Sequence, residues 1–166
     1  MDAEKNPLAG LNILAVDDEA DVLETIVDIL DESHVDTARD YEGASRKIAA
    51  GSYNLTVLDI MGVDGLTLLQ EAVAKGIPSV MLTAHAVNPQ TLKKSIEMGA
   101  LGYLPKEKLS EVDSILGELL AASQAGKSSW KLLFKRMGDF FSKSFGFNWQ
   151  EDDPDFWVKY GAHMFF

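Results

Sequence analysis

The sequence predicts an α/β fold: a doubly wound, five-stranded parallel sheet with helices on both faces, followed by an amphipathic helical extension. Three observations carry this reading. Apolar runs of strand length recur five times, and each is followed by a segment with helically spaced apolar residues. Glycine stands just past several of the helical segments. Polar and charged residues gather directly after the runs, at the strand ends where an open parallel sheet places its binding crevice.

The first run, Leu11 to Val16, is bounded by Gly10 and an acidic cluster and reads as a strand buried on both faces. From Ala20 to Glu32, Val22, Leu23, Ile26, Val27, Ile29 and Leu30 recur at helical spacing with acids between them. A weak strand near Val35 to Arg39 leads to a helix near Tyr41 to Ala50, and the strong strand Leu55 to Leu58 to a helix from about Leu66 to Lys75. The strand Ser79 to Leu82 precedes a helix from about Pro89 to Met98, and the short strand Leu101 to Leu104 precedes a helix from Leu109 to Ala122. Gly51, Gly76 and Gly99 are expected to end their helices in the left-handed conformation that needs no Cβ. Right-handed crossovers then bury the sheet between two helical layers.

A chain of 166 residues with 46% apolar and 25% charged residues suits one principal domain, here residues 1–122, with 123–166 as linker and tail. The net charge of −11 disfavours a phosphate-gripping basic face, so nucleic acid is not an expected partner. The absence of cysteine excludes disulfides, thiolate metal sites and cysteine nucleophiles. The first residues lack the pattern of a signal peptide and no apolar run approaches a membrane span, so the expected location is cytoplasmic.

The strand ends assemble a constellation. Asp17 and Asp18 follow the first strand, Asp59 ends the third, Thr83 and Ala84 follow the fourth, and Lys106 follows the fifth. Taken singly, these are an N-cap pair, a further cap, a strand-end hydroxyl and a solvated lysine. Together on one rim, three carboxylates repel one another unless a cation sits among them. Mg²⁺ suits an all-oxygen site, with Asp18 and Asp59 as direct ligands and Asp17 direct or through water. Lys106 adds a second positive charge, for Asp59 or for a phosphate oxygen. An aspartate beside such charges can attack a phosphoryl donor, which makes Asp59 a candidate nucleophile and Thr83 a hydroxyl placed to sense the transferred group.

The order Asp17-Asp18, Asp59, Thr83-Ala84 and GYLPKE (Gly102 to Glu107) resembles the response-regulator receiver domains of two-component signalling, over about Leu11 to Ala122. The resemblance implies a flavodoxin-like (βα)5 receiver fold. It also implies that Asp59 takes phosphate from a sensor histidine kinase or phosphotransfer protein. Mg²⁺ would be held by Asp17, Asp18, Asp59 and the backbone carbonyl of Met61. Thr83 and Tyr103 would be the switch pair, Tyr103 turning inward, and Lys106 would bond the phosphoryl group. Two features depart from the family pattern. The loop after Asp59 reaches Asp64-Gly65 through only IMGV, and Pro105 precedes Lys106 where many receivers place a proline after the lysine.

His85 reads as a loop histidine two residues beyond Thr83, alternatively as a neighbour of the site entrance. His34 and His163 have no companions at ligand spacing, and Met61 and Met81 read as packing side chains.

After the polar SQAGKSS the chain changes character. Residues 126–166 hold six Lys or Arg against five acids, a net of +1, which leaves −12 on the remainder. Trp130, Leu133, Phe134, Met137, Phe140, Phe141 and Phe145 form one helical stripe, ended by Gly146, and Phe156, Trp157 and Tyr160 belong to a short final turn. Such a face cannot stay wet. It packs on the receiver, self-associates, or binds a downstream protein through residues 128–166; the acidic body opposes a membrane surface. The expected function is therefore a phosphorylation-dependent switch acting through protein contacts, without turnover chemistry. A non-switching scaffold acting through its tail is the alternative. An aspartyl-phosphate phosphatase is disfavoured by Met61, which stands where a second aspartate is required.

Overall fold

The computed structural model describes residues 6–84, 88–146 and 148–160. Five parallel strands form one sheet in the order β2-β1-β3-β4-β5: β1 Asn12–Val16, β2 His34–Ala38, β3 Leu55–Asp59, β4 Ser79–Thr83 and β5 Gly102–Pro105. The helices between them are α1 Ala20–Ile29, α2 Tyr41–Ala50, α3 Gly65–Ala74 and α4 Pro89–Glu97, followed after β5 by α5 Val112–Gln124. The predicted doubly wound sheet is what the chain forms.

The central strands are apolar on both faces because both are covered. Ile13, Leu14, Ala15, Leu55, Val57, Leu58, Val80, Met81 and Leu82 are fully buried. Strand order reverses between β1 and β3, whose register pairs Val16 with Leu58. Asp17 and Asp59 therefore flank the gap where the chain crosses to opposite sides of the sheet. Asp59 stands opposite Leu82, and Thr83 opposite Pro105, which carries the same rim onward to Lys106.

Two expectations need correction. Gly76 and Gly99 adopt φ of 74° and 99°, but Gly51 has φ −94° and ψ 172°, an extended conformation open to any residue. Glycine is needed at 51 for space: a Cβ would lie 2.6 Å from the Tyr53 ring and 2.8 Å from the Lys47 carbonyl oxygen. The last receiver helix does not begin at Leu109. A 3-10 turn, Lys106–Glu111, leads into α5, so Lys106 opens a tight turn directly at the end of β5.

The extension forms a long helix, α6 Ser129–Phe145, and a short one, α7 Pro154–Lys159. Ser128 caps α6 by accepting from the Lys131 amide, and Gly146 ends it at φ 99°. Of the three placements open to the aromatic stripe, the chain adopts packing on its own receiver. Ser129 Oγ donates to the Leu101 carbonyl at 2.7 Å, and Trp130 Nε1 to the Ala100 carbonyl at 2.8 Å. These bonds lay α6 beside β5, an edge strand of the sheet. Trp130, Leu133, Phe134, Met137, Phe141, Trp149 and Trp157 are buried within the same continuous core as the strands.

Phe134 is the hub of this added layer, with Trp130, Phe141, Trp149 and Trp157 around it at centroid distances of 5.4–6.0 Å. Phe134→Ala is expected to destabilise the protein by about 3–5 kcal/mol in urea unfolding, the cost of deleting a buried aromatic with its packing partners.

Candidate functional site

β1, β3 and β5 deliver Asp17, Asp59 and Lys106 to one point at the carboxyl edge of the sheet. Lys106 Nζ stands 2.9 Å from Asp17 Oδ2, 2.9 Å from Glu19 Oε1 and 3.3 Å from Asp59 Oδ1. Asp17 is fully buried and Asp59 nearly so. Oδ2 of Asp17 meets Lys106 as an ion pair and has no further partner among the described residues, whereas Oδ1 accepts from the Glu19 amide at 2.9 Å.

Desolvation dominates both carboxyls. Burial pushes Asp17 above the ordinary aspartate value, opposed by the Glu19 amide and by Lys106, with the Asp59 charge adding to the rise. Asp59 is likewise pushed up by burial, against the pull of Lys106 and the Gly62 amide, and the Asp18 charge adds to the rise. Lys106 is raised as well, which for an ammonium means that the charged form is favoured. Burial disfavours its charge, but Glu19, Asp17 and Asp59 outweigh that and hold the ammonium firmly protonated.

Asp18 lies on the opposite wall, against the loop that follows Asp59. The loop is short because it is tightly wound. The Gly65 amide donates to the Ile60 carbonyl at 3.0 Å, and the Gly62 amide to Asp59 Oδ2 at 3.2 Å. Asp64 sits in the left-handed region at φ 54° and ψ 54°, a conformation aspartate tolerates better than most residues. Two glycines are sterically required here. A Cβ at Gly65 would lie 2.0 Å from the Asp59 carbonyl oxygen, and one at Gly62 would lie 2.5 Å from the Asp18 carboxylate. The departure from a longer loop thus brings backbone close to both acids. Met61 projects into solvent, 79% exposed, so its side chain is not the packing residue expected from sequence; only its backbone belongs to the rim.

Asp17, Asp18 and Glu19 can each direct a carboxylate oxygen to within 4.8 Å of the others. The donors of this trio are all oxygen, the chemistry of a hard divalent cation, and Asp59 stands outside it, linked to Asp17 through Lys106. Glu19 was missed from the sequence. It follows the acidic pair directly and precedes a helix, where an acid reads as a helix start; three consecutive acids after a strand were the available signal.

Behind the acids, Thr83 is buried and its hydroxyl donates to its neighbour's carbonyl, Ala84 O, at 3.0 Å. Tyr103 is 1% exposed, its ring 6.1 Å from Phe141 of α6. Among the described residues its buried hydroxyl has no well-formed hydrogen bond, and burial, only partly opposed by the Thr83 side chain, pushes the phenol up to about 12. The structure therefore brings Asp17, Asp59, Lys106 and Glu19 into contact, sets Asp18 across the loop, and stacks Thr83 and Tyr103 toward the tail. His85 and His163 lie outside the described residues, and His34 is exposed at the far end of β2.

A family model described as the response regulator receiver domain matches residues 13–116. The nitrogen assimilation regulatory protein NtrX of Azorhizobium caulinodans is 37% identical over 103 residues, which cover 57% of this chain and 22% of that protein. A CheY-like response regulator receiver domain protein from Methanospirillum hungatei superposes with a TM-score of 0.63 at 24% identity, over 71% of this chain and 99% of that one. NtrX from Brucella abortus superposes with a TM-score of 0.58 at 27% identity, over 70% of this chain and 29% of that one. The chain thus spans less than a third of either NtrX, and α6 and α7 lie beyond the matched family region.

The buried carboxyls set the pH dependence of stability. A raised folded-state value means that the folded protein holds protons the unfolded chain has lost, so the ionised carboxylate opposes folding at neutral pH. The penalty is full above the folded value and vanishes below the ordinary aspartate value. Without divalent cations, Asp59→Asn is expected to melt at a higher temperature than wild type at pH 7. That gain should shrink as pH falls through the raised folded value toward the ordinary one, as measured by thermal unfolding across pH.

Proposed function

Because this chain belongs to the response regulator receiver domain family, whose members serve phosphorylation-dependent signalling, we propose that it is a switch whose phosphoacceptor is Asp59. Residues 1–122 form the switching unit and 123–166 the part that reports its state. The phosphoryl donor is a phosphohistidine on a sensor kinase or phosphotransfer protein, and the site of action is the cytoplasm. No described helix is long and apolar enough to cross a membrane, which agrees with that reading. The observation that carries the proposal is the shared ammonium. Lys106 stands between a buried Asp17 and a buried Asp59 at the strand-order reversal, so Asp59 has a cation beside it and an open rim before it.

An Asp59 carboxylate oxygen attacks phosphorus in line with the phosphorus–nitrogen bond of the donor. The new oxygen–phosphorus bond forms as the phosphorus–nitrogen bond breaks, and the electron pair stays on the imidazole nitrogen, which takes a proton from water. Asp17, Asp18, Asp59 and the Met61 carbonyl would hold Mg²⁺, which supplies charge neutralisation at the phosphoryl oxygens. Lys106 neutralises a further phosphoryl oxygen, and leaves Glu19 and Asp17 less tightly bound as it does so. The Thr83 hydroxyl exchanges its bond to Ala84 O for one to the phosphoryl group, and Tyr103 follows into the room that Thr83 vacates. No general acid stands two positions beyond Asp59, which supports a regulator over a turnover enzyme.

Incubation with acetyl phosphate and Mg²⁺ should add one phosphoryl group to the wild type by intact mass and none to Asp59→Asn. Chelation with EDTA should abolish the gain, and Lys106→Ala should slow it by about 10²-fold, the usual cost of losing one preorganised electrostatic partner. No incorporation into a folded wild type would favour the scaffold reading. Gly62→Ala, whose new methyl meets the Asp18 carboxylate, should weaken Mg²⁺ binding at least about tenfold in titration calorimetry while leaving the sheet intact.

A further inference from the structure

The switch pair in this chain does not face solvent, because the extension covers it. Phe141 packs on Tyr103, and a cavity of about 10 Å³ is bounded by Thr83, Tyr103, Pro105, Phe140, Phe141 and Phe145. α6, moreover, is two pieces. Met137 has φ −123° and ψ 16°, values outside the helical range, and Gly138 follows it. The break divides two sets of contacts with different characters.

The proximal piece, 129–136, is fastened at the end of β5 opposite Lys106 and along α5. Ser129 and Trp130 bond the backbone carbonyls before β5. Arg136 pairs with Glu111 at 3.0 Å and with Glu118 of α5. The distal piece and α7 instead rest on Tyr103, the 3-10 turn and α4. Phe141 lies on Tyr103, the partner of Thr83. The Phe140 ring faces Lys108 Nζ at 5.6 Å, within the 3-10 turn that Lys106 opens. Asp153, which caps α7, pairs with Lys93 of α4 at 2.9 Å, and Lys93 Nζ also stands 5.0 Å from the Phe156 ring.

We propose that residues 138–160 are a phosphate-released cover of the β5–α4 face, hinged at Met137–Gly138, while residues 129–136 stay docked. The proposal rests on Asp59 as the phosphoacceptor. Its direction follows from packing. Among the described residues the buried Tyr103 hydroxyl has no well-formed hydrogen bond in the covered state, so that state already carries a desolvation penalty. When Thr83 turns to the phosphoryl group, Tyr103 gains by moving toward the vacated room, and its ring leaves Phe141 facing a void whose lost contacts nothing replaces. Lys106, drawn from Glu19 and Asp17, shifts the start of the turn that carries Lys108 under Phe140. Both displacements weaken the distal piece, and neither touches the Ser129 and Trp130 bonds or the Arg136 pair with Glu118 that hold the proximal one. Release uncovers Tyr103, Phe140, Phe141 and Phe145 together, so any partner that reads this face competes with the chain's own tail.

The test is hydrogen–deuterium exchange on the full chain with Mg²⁺, with and without acetyl phosphate, with phosphoryl incorporation read by mass on the same samples. Amides of 138–145 and 155–159 should exchange at least about tenfold faster in the phosphorylated protein, and those of 130–136 at an unchanged rate. Full incorporation with unchanged distal exchange would overturn the cover, and equal acceleration of both pieces would overturn the hinge. A folded sample that takes no phosphoryl group would overturn the phosphoacceptor reading, and the trigger with it. Coupling is reciprocal, so Phe141→Ala, already loosened, should bind beryllofluoride with Mg²⁺ about tenfold tighter than wild type. Equal affinity would sink the coupling.

Discussion

Lys106 is the interaction on which the site depends. Two strands, β1 and β3, bring carboxylates to one buried edge, and each carboxylate raises the cost of ionising the next. One ammonium, reached through the tight turn that follows β5, offsets that cost by touching Asp17, Glu19 and Asp59 at once. The turn in turn requires β5 to end at Pro105, whose partner in the sheet is Thr83. Charge balance at the rim and strand register in the core are thus one constraint. Shifting β5 by a residue would move Lys106 to another face and leave buried carboxylates uncompensated.

A buried pair held this way is a poor source of stability and a good source of response. The folded state tolerates the acids but does not favour them ionised, and any phosphoryl group or cation that arrives finds its electrostatic complement already in place. Glu19 is the adjustable member. It is well exposed, so its pairing with Lys106 costs little to break. Asp17, fully buried and held by the Glu19 amide, has no such freedom.

The fold and the polar groups gathered at the strand ends were legible because they interrupt a pattern. Asp59 ends a run of buried strand residues, and an acid there is conspicuous. The features that were not legible follow the local pattern while serving a remote contact. Glu19 looks like a helix start. Gly51 looks like a left-handed cap, though it answers to the ring of Tyr53. The break at Met137 falls inside an unbroken apolar stripe, since Met137, Phe140 and Phe141 keep helical spacing across it. Periodicity identified the face of α6 correctly, but a face names no partner, and only the three-dimensional structure shows that β5 and Tyr103 lie under it.

The charge asymmetry of the chain suggests that electrostatics docks the tail, with a receiver of −12 and a tail of +1. Magnitudes argue otherwise. Arg136 with Glu111, and Lys93 with Asp153, are partly solvated pairs worth at most about 1 kcal/mol each. Burying one aromatic of the size of Phe134 or Trp157 is worth several times that, and five such rings lie at 6% exposure or less. Aromatic burial therefore holds the extension down, and the ion pairs set where it sits. This division gives the cover its sensitivity. A surface held by charge would loosen gradually with salt, whereas one held by ring packing responds to the movement of a single ring, and Tyr103 is the ring that the receiver's own chemistry can move.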